Sequence, residues 1–249
     1  MVQFCSKKNI SSKIAEAGFT LVELMIALVI SGLVMAAVVA IYTTQSRTYS
    51  ERDDLANIQQ DLRGALAILP MEIRLAGCDP EEKHVPGIVT ATRTLFRFTM
   101  DTRTGTTSNV ADGVIGPEEN IAYGFAVGVD TNGDGIVDNG GANWSGTASL
   151  GRHIGINALM LMPLADNIEA LEFNYLLEDG TTSLVPPDLN KIRAVQVSIL
   201  ARAANPAQGF VNTNTFTTAS GVVWTPPLDN FRRRLVVTTI QCRNMGYKG

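Results

Sequence analysis

The sequence predicts an α+β chain in which a long N-terminal helix, half membrane-spanning and half amphipathic, packs on a C-terminal antiparallel β-sheet. Three observations lead there. An almost unbroken apolar run extends from Phe19 to Tyr42, and a stripe at three- and four-residue spacing continues as far as Ile73. After Gly77 the pattern changes to short β-branched runs separated by Gly, Pro, Asn and Asp. The expected organisation is a basic leader over 1–18, a helix over 19–77 with its membrane segment at about 19–42, and a β-rich head over 78–249. With 249 residues, 45% of them hydrophobic, the chain can bury one sizeable core or divide into a rod and one domain.

The run FTLVELMIALVISGLVMAAVVAIY is long enough, at about 1.5 Å per residue, to cross a hydrocarbon layer of roughly 30 Å. Lys7, Lys8 and Lys13 precede it, so the positive-inside rule keeps the leader cytoplasmic and sends Ser46 onward to the periplasm or exterior. The run continues into TTQSRTYSERDD without an A-x-A cleavage site, whereas Ala17-Gly18 stands before it. Glu23 is the odd residue, because a carboxylate in an apolar helix costs about 2.5–3.5 kcal/mol on insertion scales and needs a partner.

Beyond the span, Leu55, Ile58, Leu62, Ala65, Leu66, Leu69 and Ile73 form the stripe, which lacks the clean heptads of a coiled coil. Pro70 predicts a kink or break, Gly77 a C-terminal stop, and Gly32 and Gly64 local flexibility. Strands are expected at Leu95–Met100, Ile121–Val129, Ala158–Met162, Ile168–Leu177, Ile192–Ala201 and Leu235–Cys242, with exposed loops at 101–118, 139–151 and 205–229. The alternation is clearest in AVQVSI (194–199) and LVVTTI (235–240), where one side of each faces the stripe.

Cys5 lies in the leader, which leaves Cys78 and Cys242 as an even pair suited to an oxidising compartment. A bridge between them would close a loop of roughly 160 residues, for which chain entropy gives about 4–5 kcal/mol as an upper figure; two buried thiols are the alternative. The segment Asp130-Thr131-Asn132-Gly133-Asp134-Gly135-Ile136-Val137-Asp138 resembles calcium loops of the D-x-N-x-D-G type. Asp130, Asn132, Asp134, the Ile136 carbonyl and Asp138 are its candidate ligands for a structural Ca²⁺. Gly141 stands where an EF-hand has its bidentate Glu, so a shorter loop completed by water or by Glu118 or Glu119 is the calcium reading, and a bare Asx turn the other.

A net charge of −4 gives no global electrostatic reason to expect a nucleic-acid partner. Arg232, Arg233 and Arg234 form the one tight basic run, expected as a solvated strand edge or a subunit contact, with DNA binding as the lesser alternative. His84 and His153 lack metal-ligand spacing, and no nucleophile elbow, P-loop, H-E-x-x-H or C-x-x-C occurs, so no enzymatic role is expected.

Gly18-Phe19-Thr20-Leu21-Val22-Glu23-Leu24, behind a basic leader and ahead of a long apolar helix, resembles the prepilin signature, a Gly followed by F-T-L-x-E-L. The resemblance implies a type IV pilin-like fold, cleavage between Gly18 and Phe19 by a membrane-embedded aspartyl peptidase, and N-methylation of Phe19. It also gives Glu23 a partner: the new amine at Phe19 of a neighbouring subunit, at a fixed axial stagger. RLAGCDP (74–80), IEALEFNYLLEDG, KIRAVQVSILARA and FRRRLVVTTIQCRN resemble PilW-type minor pilins, which are similar to the J-type minor pseudopilins of type II secretion. These later matches imply a minor subunit of a type IV pilus acting in an initiating, tip-located complex, with a type II secretion pseudopilin as the alternative. A tip adhesin or DNA-uptake pilin ranks below both. The implied partners are other minor and major pilins, the prepilin peptidase and the inner-membrane assembly platform. Its implied location is the inner membrane, head in the periplasm, and the pilus after assembly.

Overall fold

The computed structural model describes residues 18–82, 87–102, 111–138, 142–155 and 160–246, apart from the side chains of 50, 51, 54 and 55. The leader with Cys5, Lys7, Lys8 and Lys13, the Leu55 side chain, His84, Gly141 and the start of the strand expected from Ala158 lie outside the described residues. Two compact units result, Met1–Thr48 and Tyr49–Gly249.

Helix α1 covers Leu21–Ile73. In the first unit its large apolar side chains are more than half exposed all round, the pattern of a helix that meets lipid or other helices on every side. Hydroxyl side chains within the span bond back to the helix. Ser31 Oγ donates to the Ala27 carbonyl (2.7 Å), and the Thr43 and Thr44 hydroxyls donate to that of Ala40 (3.0 and 2.9 Å), so these donors are not left facing an apolar surround.

In the second unit, Ile58, Leu62, Ala65, Leu69 and Ile73 are buried along one helix face. They lie on an antiparallel sheet built from β1 (Ile88–Ala91), β2 (Leu95–Thr99), β3 (Asn120–Gly124), β4 (Ala148–Ile154), β5 (Met162–Leu177), β6 (Thr182–Ser183), β7 (Ile192–Arg202) and β10 (Arg233–Gln241). The spatial order is β1-β2-β3-β4-β5-β7-β10, with β6 on the end of β5. The remaining β8 (Phe216–Thr217) and β9 (Val223–Trp224) form a separate hairpin. Alternation sorts the two faces. Phe96 and Phe98, Ile121 and Tyr123, Phe173 and Tyr175, and Val195, Val197 and Ile199 join the helix stripe in one core. Phe96 lies 5.3–6.0 Å from the rings of Phe98, Phe173 and Tyr175, each pair tilted as aromatic quadrupoles prefer. Ala170 and Leu200 point to the opposite face, where Trp224 and Ile136 cover them in a second, smaller core.

Several elements differ from the sequence expectation. Pro70 does not end the helix, which runs on to Ile73. The backbone bond that Pro70 cannot donate is one loss in a turn whose flanking Leu69 and Ile73 are both buried on the sheet. Gly77, at φ +77°, is the left-handed residue after the helix, and its amide goes to the Thr99 carbonyl at 3.0 Å. The stretch 148–151, expected as loop, begins β4. Its Gly151 would carry a Cβ 2.6 Å from that of Leu161, so the glycine permits close strand contact there. The expected strand at 121–129 stops at Gly124, where the chain passes so close to Thr94 that a Cβ would sit 2.3 Å from its carbonyl oxygen. The stretch 205–229 is a cover as well as a loop: it holds the β8–β9 hairpin and lays the fully buried Trp224 over the far face.

Candidate functional site

The first candidate site is the start of α1. Thr20 is the residue before the helix, and its amide and hydroxyl both donate to Glu23 Oε2 at 2.9 Å. Glu23 N donates back to Thr20 Oγ1 at 3.2 Å. This is a reciprocal capping box, T-x-x-E, which satisfies amides that a helix end leaves open. Glu23 therefore has a local structural role, and the box fixes where its carboxylate sits beside Gly18-Phe19. Phe19 is 90% exposed, and no atom lies within 4 Å of where a Cβ on Gly18 would be. The adjoining segment long and apolar enough to cross a membrane is Leu21–Tyr49, with a mean hydropathy of 2.9.

Two ionic networks, neither evident in sequence, pin the head. On the helix side, Glu72 of α1 accepts from Arg152 of β4 (Nε–Oε2 2.9 Å, Nη2–Oε1 2.5 Å) and from the hydroxyl of the buried Tyr123 of β3. Burial, and next the adjacent Glu72 carboxylate, push the Tyr123 hydroxyl above its ordinary range, so it stays a donor. On the far face, Glu169 of β5 is fully buried and accepts from Arg233 of β10 (2.5 and 3.0 Å) and Arg202 of β7 (3.1 Å). Arg233 also forks onto Asp229 with two bonds of 2.6 Å. Burial alone would weaken its charge, but Asp229 and Glu169 outweigh that and hold the guanidinium more firmly protonated than usual. Arg233 is thus inside the protein, in place of the solvated edge expected for the run. Arg232 stacks on Phe210 at 4.2 Å, and Arg234 is exposed. The sequence signal was a pair of glutamates, Glu169 and Glu172, within the apolar run IEALEF; both are fully buried, but the arginines go to Glu169, while Glu172 accepts from Ser220 N at 3.4 Å.

The loop at Asp130 brings together three of its five expected ligands. Asp130 accepts from the amides of Gly133 and Gly135 (2.8 and 2.9 Å), Asn132 from Asp134 N (2.9 Å), and Asp134 from Ile136 N (2.8 Å). Asn132 and Asn143 both donate to Asp134 Oδ2 (3.2 and 2.5 Å). Asp138 is buried and turned to Thr131, whose amide and hydroxyl hold its carboxyl below the ordinary range. Ile136 uses its amide on the loop and its side chain in the smaller core. Glu119 accepts from Thr102 and Gly116. Among the described residues, no three His, Cys, Asp or Glu side chains are grouped as a metal site. Gly135, at φ +86°, anchors the loop: its carbonyl accepts from Leu171 N at 2.8 Å, and a Cβ would lie 2.6 Å from the Leu171 oxygen.

Against this geometry, residues 88–244 match the family profile of type IV pilus-assembly protein W, and residues 14–39 match the prokaryotic N-terminal methylation motif. The chain belongs to the PilW family. It is a minor pilin of a type IV pilus, anchored by its N-terminal apolar helix, and it associates with other pilins and with the assembly machinery. Its family assignment points to a structural rather than a catalytic part. No curated protein matches the chain. Among solved structures, a type IV-like pilin from Thermus thermophilus resembles it at 14% identity and a TM-score of 0.45, over 78% of this chain and 96% of that one.

In this PilW-family head, Cys78 follows the helix exit and Cys242 follows β10; both thiols are unbonded and border the main core. Burial pushes the Cys242 thiol up to about 12, and burial followed by Asp101 and Asp79 raises that of Cys78, so neither is a ready nucleophile. The chain around them is in contact. Asn244 donates to the Arg74 carbonyl at 3.2 Å, and a Cβ on Gly77 would lie 2.8 Å from Met245 Sδ. His153 bonds through Nδ1 to the Met160 backbone, a structural arrangement.

Replacing Arg233 with Met leaves Glu169 paired only to Arg202, and should lower the urea-unfolding free energy of the head by up to about 3–5 kcal/mol. The pH dependence has a definite sign. Burial raises the Asp229 carboxyl, but the Arg233 bonds outweigh burial and leave it below its ordinary value. Its stabilisation is therefore present above the unfolded value of about 3.9 and is lost as pH falls through the depressed folded value. Unfolding monitored from pH 6 to 2 should show this loss in the parent and a shallower one in Arg233→Met.

Proposed function

We propose that this chain is cut between Gly18 and Phe19, is methylated on the Phe19 amine, and enters the filament or its initiating tip complex with Glu23 setting its axial register. The observation that carries this is the capping box, which fixes Glu23 at the first turn beside the future amine. Thr20 hydrogen bonds do not cancel the carboxylate's charge, so a cation at the helix start of an adjacent subunit remains the fitting partner. Before assembly the head faces the periplasm from the inner membrane, while the opposite, cytoplasmic end of the span presents Gly18-Phe19 to the prepilin peptidase; the assembly platform is its inner-membrane partner. A type II secretion pseudopilin is the alternative. Co-purification of the intact envelope complex separates the two, by whether pilus subunits or secretion subunits accompany the chain.

In this reading, the head is closed by a Cys78–Cys242 bridge formed in the periplasm. Support comes from the packing of Arg74 and Gly77 against Asn244 and Met245, which brings the two cysteine-bearing segments side by side. A structural calcium ion on Asp130, Asn132 and Asp134, completed by water, would take the place of the Asn132 and Asn143 amides on Asp134 and neutralise the charge that Asp134 sets beside Asp130.

The register role can be separated from capping. Glu23→Gln keeps an acceptor for Thr20 and removes only the charge, whereas Glu23→Ala removes both. Filament incorporation, read by immunoblot of sheared pili, should fall in both variants; normal incorporation of Glu23→Gln would reduce Glu23 to a cap. For the bridge, intact-mass measurement of chain isolated from the envelope should show two hydrogens fewer than after reduction, and an unchanged mass would mean free thiols. For calcium, the melting temperature should rise with added Ca²⁺ and fail to rise in an Asp130→Ala, Asp134→Ala double variant; a parent insensitive to Ca²⁺ argues for the bare turn.

A further inference from the structure

The two edges of the sheet are built differently. At one edge, β1 has four residues and a register shift between Ile88 and Thr90, two of the devices by which folds blunt an edge. At the other, β10 runs nine residues in unbroken register with β7 and has no second neighbour among the described residues. Its hydrogen-bond parity is fixed by Cys242, whose amide donates to the Arg193 carbonyl, and by Arg232, whose carbonyl accepts from Ala203 N. Antiparallel ladders alternate, so the even-numbered residues of β10 bond to β7. Leu235, Val237, Thr239 and Gln241 aim their N–H and C=O groups the other way, and among the described residues these amides have no partner.

The chemistry of this edge invites pairing. Leu235 to Gln241 reads LVVTTIQ, β-branched for the most part, without a charge, a proline or a glycine. Val237, Thr239 and Gln241 are exposed, and exposed Arg234 and Arg243 flank the stretch. We infer that β10 is a strand-addition surface, which takes an uncharged, β-branched extended segment with a carboxylate near each end from another subunit. The flanking charges decide against a second copy. Antiparallel pairing of two such stretches would bring Arg234 of one copy toward Arg243 of the other at both ends, whereas acidic ends give opposite-charge pairs at the same places. That the donor is a fellow pilus subunit rests on the assembly role proposed for the chain. The edge itself does not, and its test needs no filament.

The test uses the full-length chain in detergent with a synthetic strand of alternating valine and threonine, glutamate at each end, and a lysine-ended version as comparison. Hydrogen exchange should slow at Leu235, Val237, Thr239 and Gln241 when the glutamate-ended strand is added, and the lysine-ended strand should bind about three- to tenfold more weakly. Thr239→Pro deletes an outward amide and spares the ladder to β7, so binding should be lost while the amides of Val195 and Val197 keep their protection. Unchanged exchange at the four amides of the parent chain, at saturating strand, overturns the proposal. So does protection that arises without the strand and grows with protein concentration, which would mean pairing between copies.

Discussion

The apolar face of the helix from Ile58 to Ile73 has to be covered, and the arrangement of the head is set by how the sheet covers it. Asp61 accepts from Asn167 on β5, and Glu72 meets Arg152 on β4 and Tyr123 on β3. Between these two points the helix advances about 16 Å while passing two strand spacings, or about 10 Å of sheet, so it crosses the strands obliquely. An oblique crossing spreads the stripe over several strands, which explains why β2, β3, β5 and β7 all send aromatic or β-branched side chains into one core.

A stripe of Ile, Leu and Ala defines a buried face but few unique positions along it, since neighbouring turns offer similar surfaces. The ionic pins remove that ambiguity. Glu72 finds two donors on adjacent strands at one axial position only, and displacement by a turn would leave a half-buried carboxylate without them. The Glu169–Arg233 pair does the same for strand order on the far face, because it joins β5 to β10 across the intervening β7, whose Arg202 completes the set. Fully buried ions of this kind are weak contributors to net stability and strong penalties for misplacement.

The legible part of the fold was the part written in periodicity: the apolar run, the helix stripe and the long central strands repeat at 3.6 or 2 residues and are buried as that repeat requires. What escaped was set by contacts distant in sequence. ASLG (148–151) reads as loop because of its small residues, yet it opens β4, which two neighbouring strands hold, and Gly151 is there to let one of them close. The polar stretch after 205 conceals one anchor, Trp224, whose burial turns a loop into a lid. The candidate site divides the same way. Glu23 stands out as a charge in an apolar helix, and T-x-x-E is a local motif, but nothing near Arg233 in the chain announces Glu169, 64 residues away.

This division bears on how one chain can both slide into a filament and be told apart from its neighbours. The membrane half of α1 is apolar all round, and such a surface packs against many partners with little preference among rotations or shifts. Its only acidic side chain sits at the first turn, where the capping box holds it in place, so axial position can be specified there and almost nowhere else along the span. Identity has to come from the head, where rigidly pinned elements present fixed groups: a nine-residue open strand between two exposed arginines is such a group, and an apolar helix has none. If Glu23 sets register and the β10 edge carries recognition, as proposed above, the two tasks fall to different halves, and a change that weakens the head's ionic pins would blur recognition while leaving the membrane half free to assemble.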